Sequence, residues 1–533
     1  MPGVGASIYS LRKRNSVISL TKNIAVITMA ASLLGCATVD FDYPKETSVA
    51  LQPAATADTY LGSQLNNLAD AHPVGESGFL PISDGIEALS VRLLMAERAE
   101  RSIDAQYYLL KKGITGEAFV YALLQAADRG VRVRLLLDDM FTSGYDAGMA
   151  GLDSHPNFEI RIFNPFANRS ARAWNGVTNF SRINRRMHNK SFTADNQITL
   201  IGGRNIADEY FGAREDANFG DLDVLGVGPI VQDVSNMFDT YWNHERAAPI
   251  ESFAKMPEDP AAELVRVRAE LEQSNKDILN TIYASAVEDK IFEYVETDSS
   301  VFIWAPYSMA VDSPDKNIKS KAATADSIVT PLLESLQAAQ KELLIISPYF
   351  VPRKTGIQAL SDIQNRGVKV TIITNSLAAN NQASVHGGYA PSRKPLLEAG
   401  VTILEVRADA NIPGSEFMAK SGAKATLHTK AFVVDREEAF IGSFNFDPRS
   451  ANINTELGVI IRSPEIAEDL AATVDKKAAT STYEVFLNEK GKVRWRSTDD
   501  DGQEVILDKE PQTTWGQRFA AGFYRILPIR GQL

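Results

Sequence analysis

The octapeptides HNKSFTAD (188–195) and HTKAFVVD (428–435) share one frame, His-x-Lys-x-x-x-x-Asp. The chain has only 6 histidines, and at ordinary Lys and Asp usage six would give the frame roughly 0.02 times by chance. The likeness continues downstream. LIGGRN ends at Asn205 and FIGSFN at Asn445, with Gly202 and Gly203 standing where Gly442 and Ser443 stand in the second copy. This is an internal duplication. His188 and His428, with the cations Lys190 and Lys430 and the amides Asn205 and Asn445, suit chemistry on a phosphodiester. Such an ester is an anion whose transition state carries more charge on its equatorial oxygens, so positioned cations and amide donors stabilise it. One imidazole can attack phosphorus while the other protonates the leaving alkoxide.

A histidine in either role needs an acceptor on its second ring nitrogen. Each motif is followed by a strand-like segment carrying a carboxylate, GDLDVLGVGP and NTELGVIIRSP. Aligning Pro229 with Pro464 sets Asp221 opposite Glu456, and these two are the expected orienting acids. In a strand, residues two apart share a face, so His188 should point with Lys190 and His428 with Lys430. Asp195 and Asp435 lie an odd number of residues away. They are expected to fix the following turn through backbone hydrogen bonds rather than touch substrate. With neither a cysteine cluster nor a His-x-x-x-His pair, no metal or cofactor is expected. His72, His155 and His244 read as scattered surface or core imidazoles. His386, in the Gly-rich stretch SVHGGYAPSRKPLLEAG, is expected in a loop that could line the site.

The elements that position these groups are duplicated too. AERSIDAQYYLL and AQKELLIISPYFV each run from a polar helix end into an apolar strand. AADRGVRVRLLLDD and DIQNRGVKVTIITNS each place a helix-ending glycine, Gly130 or Gly367, before a strand rich in Leu or β-branched residues. Helix–strand alternation with continuous apolar strands predicts an α/β protein with buried sheets. The expected division is a leader over 1–35, a tether over 36–75, a first half over 76–250, a helical connector over 251–320, a second half over 321–480, and a C-terminal hairpin with an amphipathic helix over 481–533.

The chain of 533 residues has a formal net charge of −12, which argues against a polyanion-binding protein and hence against nucleic acid as partner. Its first residues form a basic stretch with Arg12, Lys13, Arg14 and Lys22, then the apolar run IAVITMAASLLG, ending at Cys36, the single cysteine. This resembles a bacterial lipoprotein signal, too short in its apolar part to span a bilayer comfortably. The resemblance implies cleavage before Cys36, lipidation of Cys36 and an envelope location on the periplasmic face, with Ala37 favouring the outer membrane. From Arg161 to Lys190 there are seven Lys or Arg residues, no acid, and interleaved Phe163, Phe166, Trp174 and Phe180. Arg182, Arg185 and Arg186 of this stretch are candidates for holding anionic headgroups at a membrane surface, or a nucleic-acid strand. The C-terminal TTWGQRFAAGFYRILPI has an aromatic, amphipathic pattern. It suits an interfacial helix or a helix packed on the second half.

The paired motifs resemble those of the phospholipase D superfamily. The flanking RINRRMHNKSFTADNQ, IGGRNIADEYFG, DLDVLGVGP, GSFNFDPRS and LPIRGQL are similar to one branch of it, the bacterial cardiolipin synthases of the C type. The resemblance implies two pseudo-twofold-related α/β halves, each a mixed sheet flanked by helices, sharing one active site. It implies phosphatidyl transfer through a phosphohistidine without metal, with His188 as nucleophile and His428 as acid. Substrates would be phospholipids such as phosphatidylglycerol and phosphatidylethanolamine at a membrane, and a helper protein stays open. Hydrolysis by a phospholipase D or a nuclease would use the same motif. A non-catalytic envelope lipoprotein fits less well, because both His-Lys pairs are intact.

Overall fold

The computed structural model describes residues 39–69, 71–169, 172, 179–295, 301–318, 327–413, 418, 420–498, 502–527 and 531–532. The expected leader, Cys36 and Trp174 lie outside the described residues. The first half contributes β1 (Glu76–Ile82), β2 (Ser102–Tyr107), β3 (Arg132–Asp138), β4 (Phe158–Phe163), β5 (Ser191–Ala194), β6 (Ile198–Gly202), β7 (Ala217–Gly220), β8 (Asp223–Val227) and β9 (Ala247–Pro249). All but β7 form a mixed sheet in the order β9-β4-β3-β2-β5-β6-β8-β1, in which only β2, β3 and β4 are mutually parallel. The second half repeats the pattern with β10 (Ile303–Val311), β11 (Glu342–Ile346), β12 (Lys369–Asn375), β13 (Thr402–Val406), β14 (Lys424–Leu427), β15 (Ala431–Val434), β16 (Glu438–Gly442), β17 (Leu457–Ile461) and β18 (Thr482–Leu487). Its order is β18-β13-β12-β11-β15-β16-β17-β10.

Local sequence explains the repeat. RVRLLLD and KVTIITN are runs of Leu and β-branched residues, and both strands are buried almost throughout, as a sheet covered on two faces requires. The helices before them, Ile114–Asp128 and Arg353–Asn365, stop at Gly130 and Gly367, whose φ of +96° and +93° glycine tolerates without strain. The β5–β6 and β15–β16 turns have consecutive positive φ, at Asp195–Asn196 and Asp435–Arg436. Two such residues make the tight turn whose twist matches antiparallel strands. Asp195 then accepts the backbone N–H groups of Glu100, Arg101 and Ser102, and Asp435 those of Gln340, Lys341 and Glu342. Each motif aspartate therefore ties its hairpin to the start of the neighbouring strand, β2 or β11.

The two sheets share a core. Phe79, Ile201 and Val224 of the first half pack in one cluster with Leu344, Ile441 and Val459 of the second. They also share a strand. Glu76–Phe79 of β1 pairs with Ile303–Pro306 of β10, and β10 continues through Tyr307–Val311 against β17. β7 and β14, one from each half, form a separate parallel pair.

Three expected boundaries change. Residues 39–69 do not stand off as a tether. Ser48 bonds to Arg134, Trp242 and Asn243, Ala50 is buried and donates to Asp239, and Lys45 donates to the carbonyl of Ala247. Backbone polar groups of this Ala- and Pro-rich stretch are satisfied on the first half, so the segment adheres. The connector is helical over Pro260–Leu279 and Ile282–Val295, but then supplies β10, the strand both sheets use. The C-terminal hairpin is a three-strand extension, β18 with β19 (Val493–Thr498) and β20 (Glu504–Leu507), followed by the helix Trp515–Ile526.

Candidate active site

Each motif histidine lies in an extended run-up to a strand rather than inside it, because β5 begins at Ser191 and β15 at Ala431. Its backbone is claimed by the other half. His188 N–H donates to the Thr455 carbonyl at 2.9 Å, and His428 N–H to the Gly220 carbonyl at 2.7 Å. The preceding residue is clamped from a strand end of its own half. Asp138 accepts the Met187 N–H and Asn375 the Leu427 N–H, both at 2.9 Å. Asp138 and Asn375 end the matched strands RVRLLLD and KVTIITN, so this pair was visible in the repeat but carried no chemical signal.

The side chains cross over as well. His188 Nδ1 lies 2.7 Å from Glu456 Oε2, and His428 Nδ1 lies 2.6 Å from Asp221 Oδ2. The two acids expected from the alignment thus orient the histidines, each from the opposite half. Glu456 is held further by the Ser443 hydroxyl at 2.5 Å and the Ser450 hydroxyl at 2.7 Å. Asp221 Oδ1 accepts the Leu222 N–H. Gly203 leaves room for it, since a Cβ there would come 2.1 Å from Asp221 Oδ1.

Lys430 Nζ lies 2.7 Å from His428 Nδ1 and also bonds the His428 carbonyl. Lys190 Nζ bonds the His188 carbonyl and sits 5.5 Å from the centre of the Tyr108 ring. Each lysine turns back onto its own histidine, as spacing by two implies. All eight polar groups of the set are buried, Asn205 and Asn445 included. Asn205 donates to the Tyr210 hydroxyl at 3.0 Å, and the amide oxygens of both asparagines have no partner among the described residues. The sequence did not single out the aromatic walls. Tyr108 meets His188 edge-on, Tyr210 meets His428 edge-on, and Phe219 stacks on His428 at 5.3 Å.

Burial sets the protonation. It pushes His188 down to about 4 and His428 down to about 3, more than their carboxylates raise them, with the lysine charges adding to the fall. Burial also lowers Lys190 to about 7 and Lys430 to about 8. For Asp221 and Glu456 burial acts upward, but the facing lysines and histidines overcome it and hold both below the ordinary carboxylate range. An ionised carboxylate only accepts, so each neutral imidazole donates from Nδ1 and carries its lone pair on Nε2, which on His428 faces Lys430 Nζ at 3.2 Å. The crossed contacts of His188 with Glu456 and of His428 with Asp221 bring the two motifs into one site. Lys190 and Lys430, in their protonated forms, supply the positive charge a phosphoryl group needs, and an incoming phosphate anion favours those forms.

The chain matches the family described as "Cardiolipin synthase, PLD-like domain" over residues 93–242 and 332–478. The chain belongs to that family. Among its phospholipase D-like relatives, cardiolipin synthase C of Escherichia coli (strain K12) is 40% identical over 478 residues, covering 88% of this chain and 98% of that protein. Cardiolipin synthase A of Proteus mirabilis (strain HI4320) is 26% identical over 72% of this chain and 65% of its own length. The crystal structure of phosphatidylserine synthase of Haemophilus influenzae Rd KW20 superposes with a TM-score of 0.54 at 15% identity, covering 89% of this chain and 99% of that one. This last likeness shows that the two-half phospholipase D-like fold spans nearly the whole chain.

Four expected substrate groups are placed elsewhere. Arg186 is fully buried, 3.2 Å from Asp138 and donating to the carbonyls of Asn164 and Arg185. Arg182 donates to the side chain of Asn164 and the carbonyl of Pro165, and Arg185 to the carbonyl of Lys316. Further back, Arg161 stacks on Trp242 at 4.3 Å, and Arg169 and Arg172 pair with Asp139. The basic stretch looked unpaired in sequence because its acids, Asp138, Asp139 and Asp146, lie on an earlier segment. His386 is not in a loop but inside the helix Ala383–Glu398. It is buried there, with Nε2 3.2 Å from Glu510 and 3.0 Å from the Arg393 guanidinium.

Proposed function

We propose that this protein makes cardiolipin-type phospholipid by phosphodiester exchange, with phosphatidylglycerol and phosphatidylethanolamine as candidate substrates. The observation that carries this reading is the crossed pair of histidine–carboxylate contacts around two lysines. His188 Nε2, its Nδ1 held by Glu456, attacks phosphorus, and the bond from phosphorus to the leaving alcohol breaks as a phosphohistidine forms. His428 gives its Nε2 proton to the departing alkoxide. In the free site His428 is neutral, and the incoming phosphate anion offsets Lys190 and Lys430 and so favours the protonated form. His428 then removes the proton of the acceptor alcohol, whose oxygen displaces His188 from phosphorus. Transfer rather than hydrolysis needs water kept away from the phosphohistidine, which a buried, aromatic-walled site favours. The family supports lipid substrates in general.

Membership in a cardiolipin synthase family and the lipoprotein-like N-terminus together support an anchored enzyme on the periplasmic face, attached through Cys36. The deciding experiment is lipid analysis by mass spectrometry after expression in a cardiolipin-deficient host. Cardiolipin from the wild type and none from His188→Ala or His428→Ala is the expected result. Phosphatidic acid in place of cardiolipin would make the protein a hydrolase. Membrane attachment that survives Cys36→Ser unchanged would remove the lipid anchor.

A further inference from the structure

The helix Trp515–Ile526 carries an unusual outer face. Trp515, Phe519, Phe523 and Ile526 are 72%, 60%, 49% and 76% exposed, and their spacing of four, four and three residues aligns them on one side. No other helix of the described residues exposes more than two large hydrophobic side chains. The face is firmly presented. Ala521 on the opposite side is buried, and the helix packs so closely on Ala383–Glu398 that a Cβ at Gly387 would lie 2.7 Å from the Ala521 carbonyl. Thr514 and Gln517 close a reciprocal cap at its start, so the helix is formed before anything touches its apolar side. Its only charges are Arg518 and Arg525, with no acid, in a chain of net −12.

Position completes the case. Beyond the helix, Gln532 accepts from the Asn184 and Arg449 side chains, and Gly531 lies against the Arg353 guanidinium. Asn184 shortly precedes His188, and Arg449 shortly follows Asn445. Arg353 lines a cleft of about 830 Å³ with mostly apolar walls, among them Leu332, Leu336, Val351 and Phe446, and Asp447 is part of the same lining. Asp447 lies two residues past Asn445 of the active site, and its N–H donates to the Asn445 carbonyl at 2.8 Å.

We propose that Trp515–Ile526 is a bilayer-docking helix, laying its aromatic face into an anionic phospholipid surface beside the cleft that Asp447 lines. Aromatic and apolar side chains on one face with arginines alongside suit insertion at the headgroup boundary. The proposal rests on the lipid-exchange reading for its consequence, but docking can be measured without turnover. The full chain is bound to vesicles of phosphatidylglycerol and phosphatidylethanolamine whose acyl chains are brominated, and tryptophan quenching is compared with Trp515→Phe. Quenching attributable to Trp515 is expected, and its absence overturns the proposal. Phe519→Ser with Phe523→Ser should then lower turnover of vesicle lipid by about tenfold or more while leaving a soluble p-nitrophenyl diester unaffected. Equal loss on both substrates would make the face a folding element and overturn docking. So would a lipid-free dimer that the double variant converts to monomer, since the face would then join two copies. A wild type that quenches but converts neither substrate would sink the exchange reading and leave docking standing.

Discussion

Glu456 and Asp221 hold equivalent histidines with side chains of different length. The longer one is steadied by two serine hydroxyls, and the shorter one needs Gly203 where the other half has Ser443. The acids should therefore fail differently. Glu456→Gln is expected to cost at least about 10²-fold in turnover and to abolish accumulation of labelled phosphohistidine, because His188 loses its orientation. Asp221→Asn should be partly rescued by a p-nitrophenyl leaving group, which needs little acid help. The reverse pattern would exchange the roles of His188 and His428. The lysines make a second test. Lys190 falls to about 7 in the folded protein through burial, against an unfolded value of about 10.4. Between these values the unfolded chain holds more protons, so stability falls as pH drops from above 10 toward 7 and then levels off. Lys190→Met should accordingly raise Tm by about 1–3 °C at pH 7 while abolishing activity. Vanadate or phosphate should stabilise the wild type and not this variant.

Elements were more legible than their joints. Repeat spacing pointed to both histidines, lysines and asparagines, and strand parity set Asp195 and Asp435 apart from them, where the structure has both carboxylates on backbone N–H groups, even though the strands start three residues later than parity assumed. What stayed hidden was long-range pairing. Nothing in RINRRM says that Asp138 waits for Arg186, and nothing in SVHGGY says that Glu510 arrives from the loop after β20 to pair with His386. Asp195→Asn and Asp435→Asn each weaken a clamp on three backbone N–H groups and should cost about 1–3 kcal/mol in urea unfolding. Activity should follow the folded fraction, and a folded but inactive Asp435→Asn would contradict the clamp. Arg186→Ala strands a buried carboxylate. Burial already raises Asp138 to about 6 even with Arg186 beside it. A loss of about 3–5 kcal/mol is expected, on soluble and vesicle substrates alike.

At the scale of the whole molecule, the carboxylate for each histidine comes from the other half. Neither half contains the histidine–carboxylate pair of its own motif. Expressed separately, each should show no turnover, and co-expression should restore it only where the halves reassemble. Activity from either half alone at low concentration would argue against the crossing.

Strand β10 bears on how a bulky lipid reaches this site. Its first residues are laced into one sheet and its last into the other, with β7 against β14 forming a second seam. Parting the halves would tear both ladders and expose their shared core. The molecule is therefore a vise with welded jaws: a substrate has to reach the site, and its product to leave it, without the halves parting. Spin labels at Ser154 and Thr480 should keep one narrow distance distribution with and without lipid, and a shift of several ångströms on binding would reveal a hinge where these seams allow none.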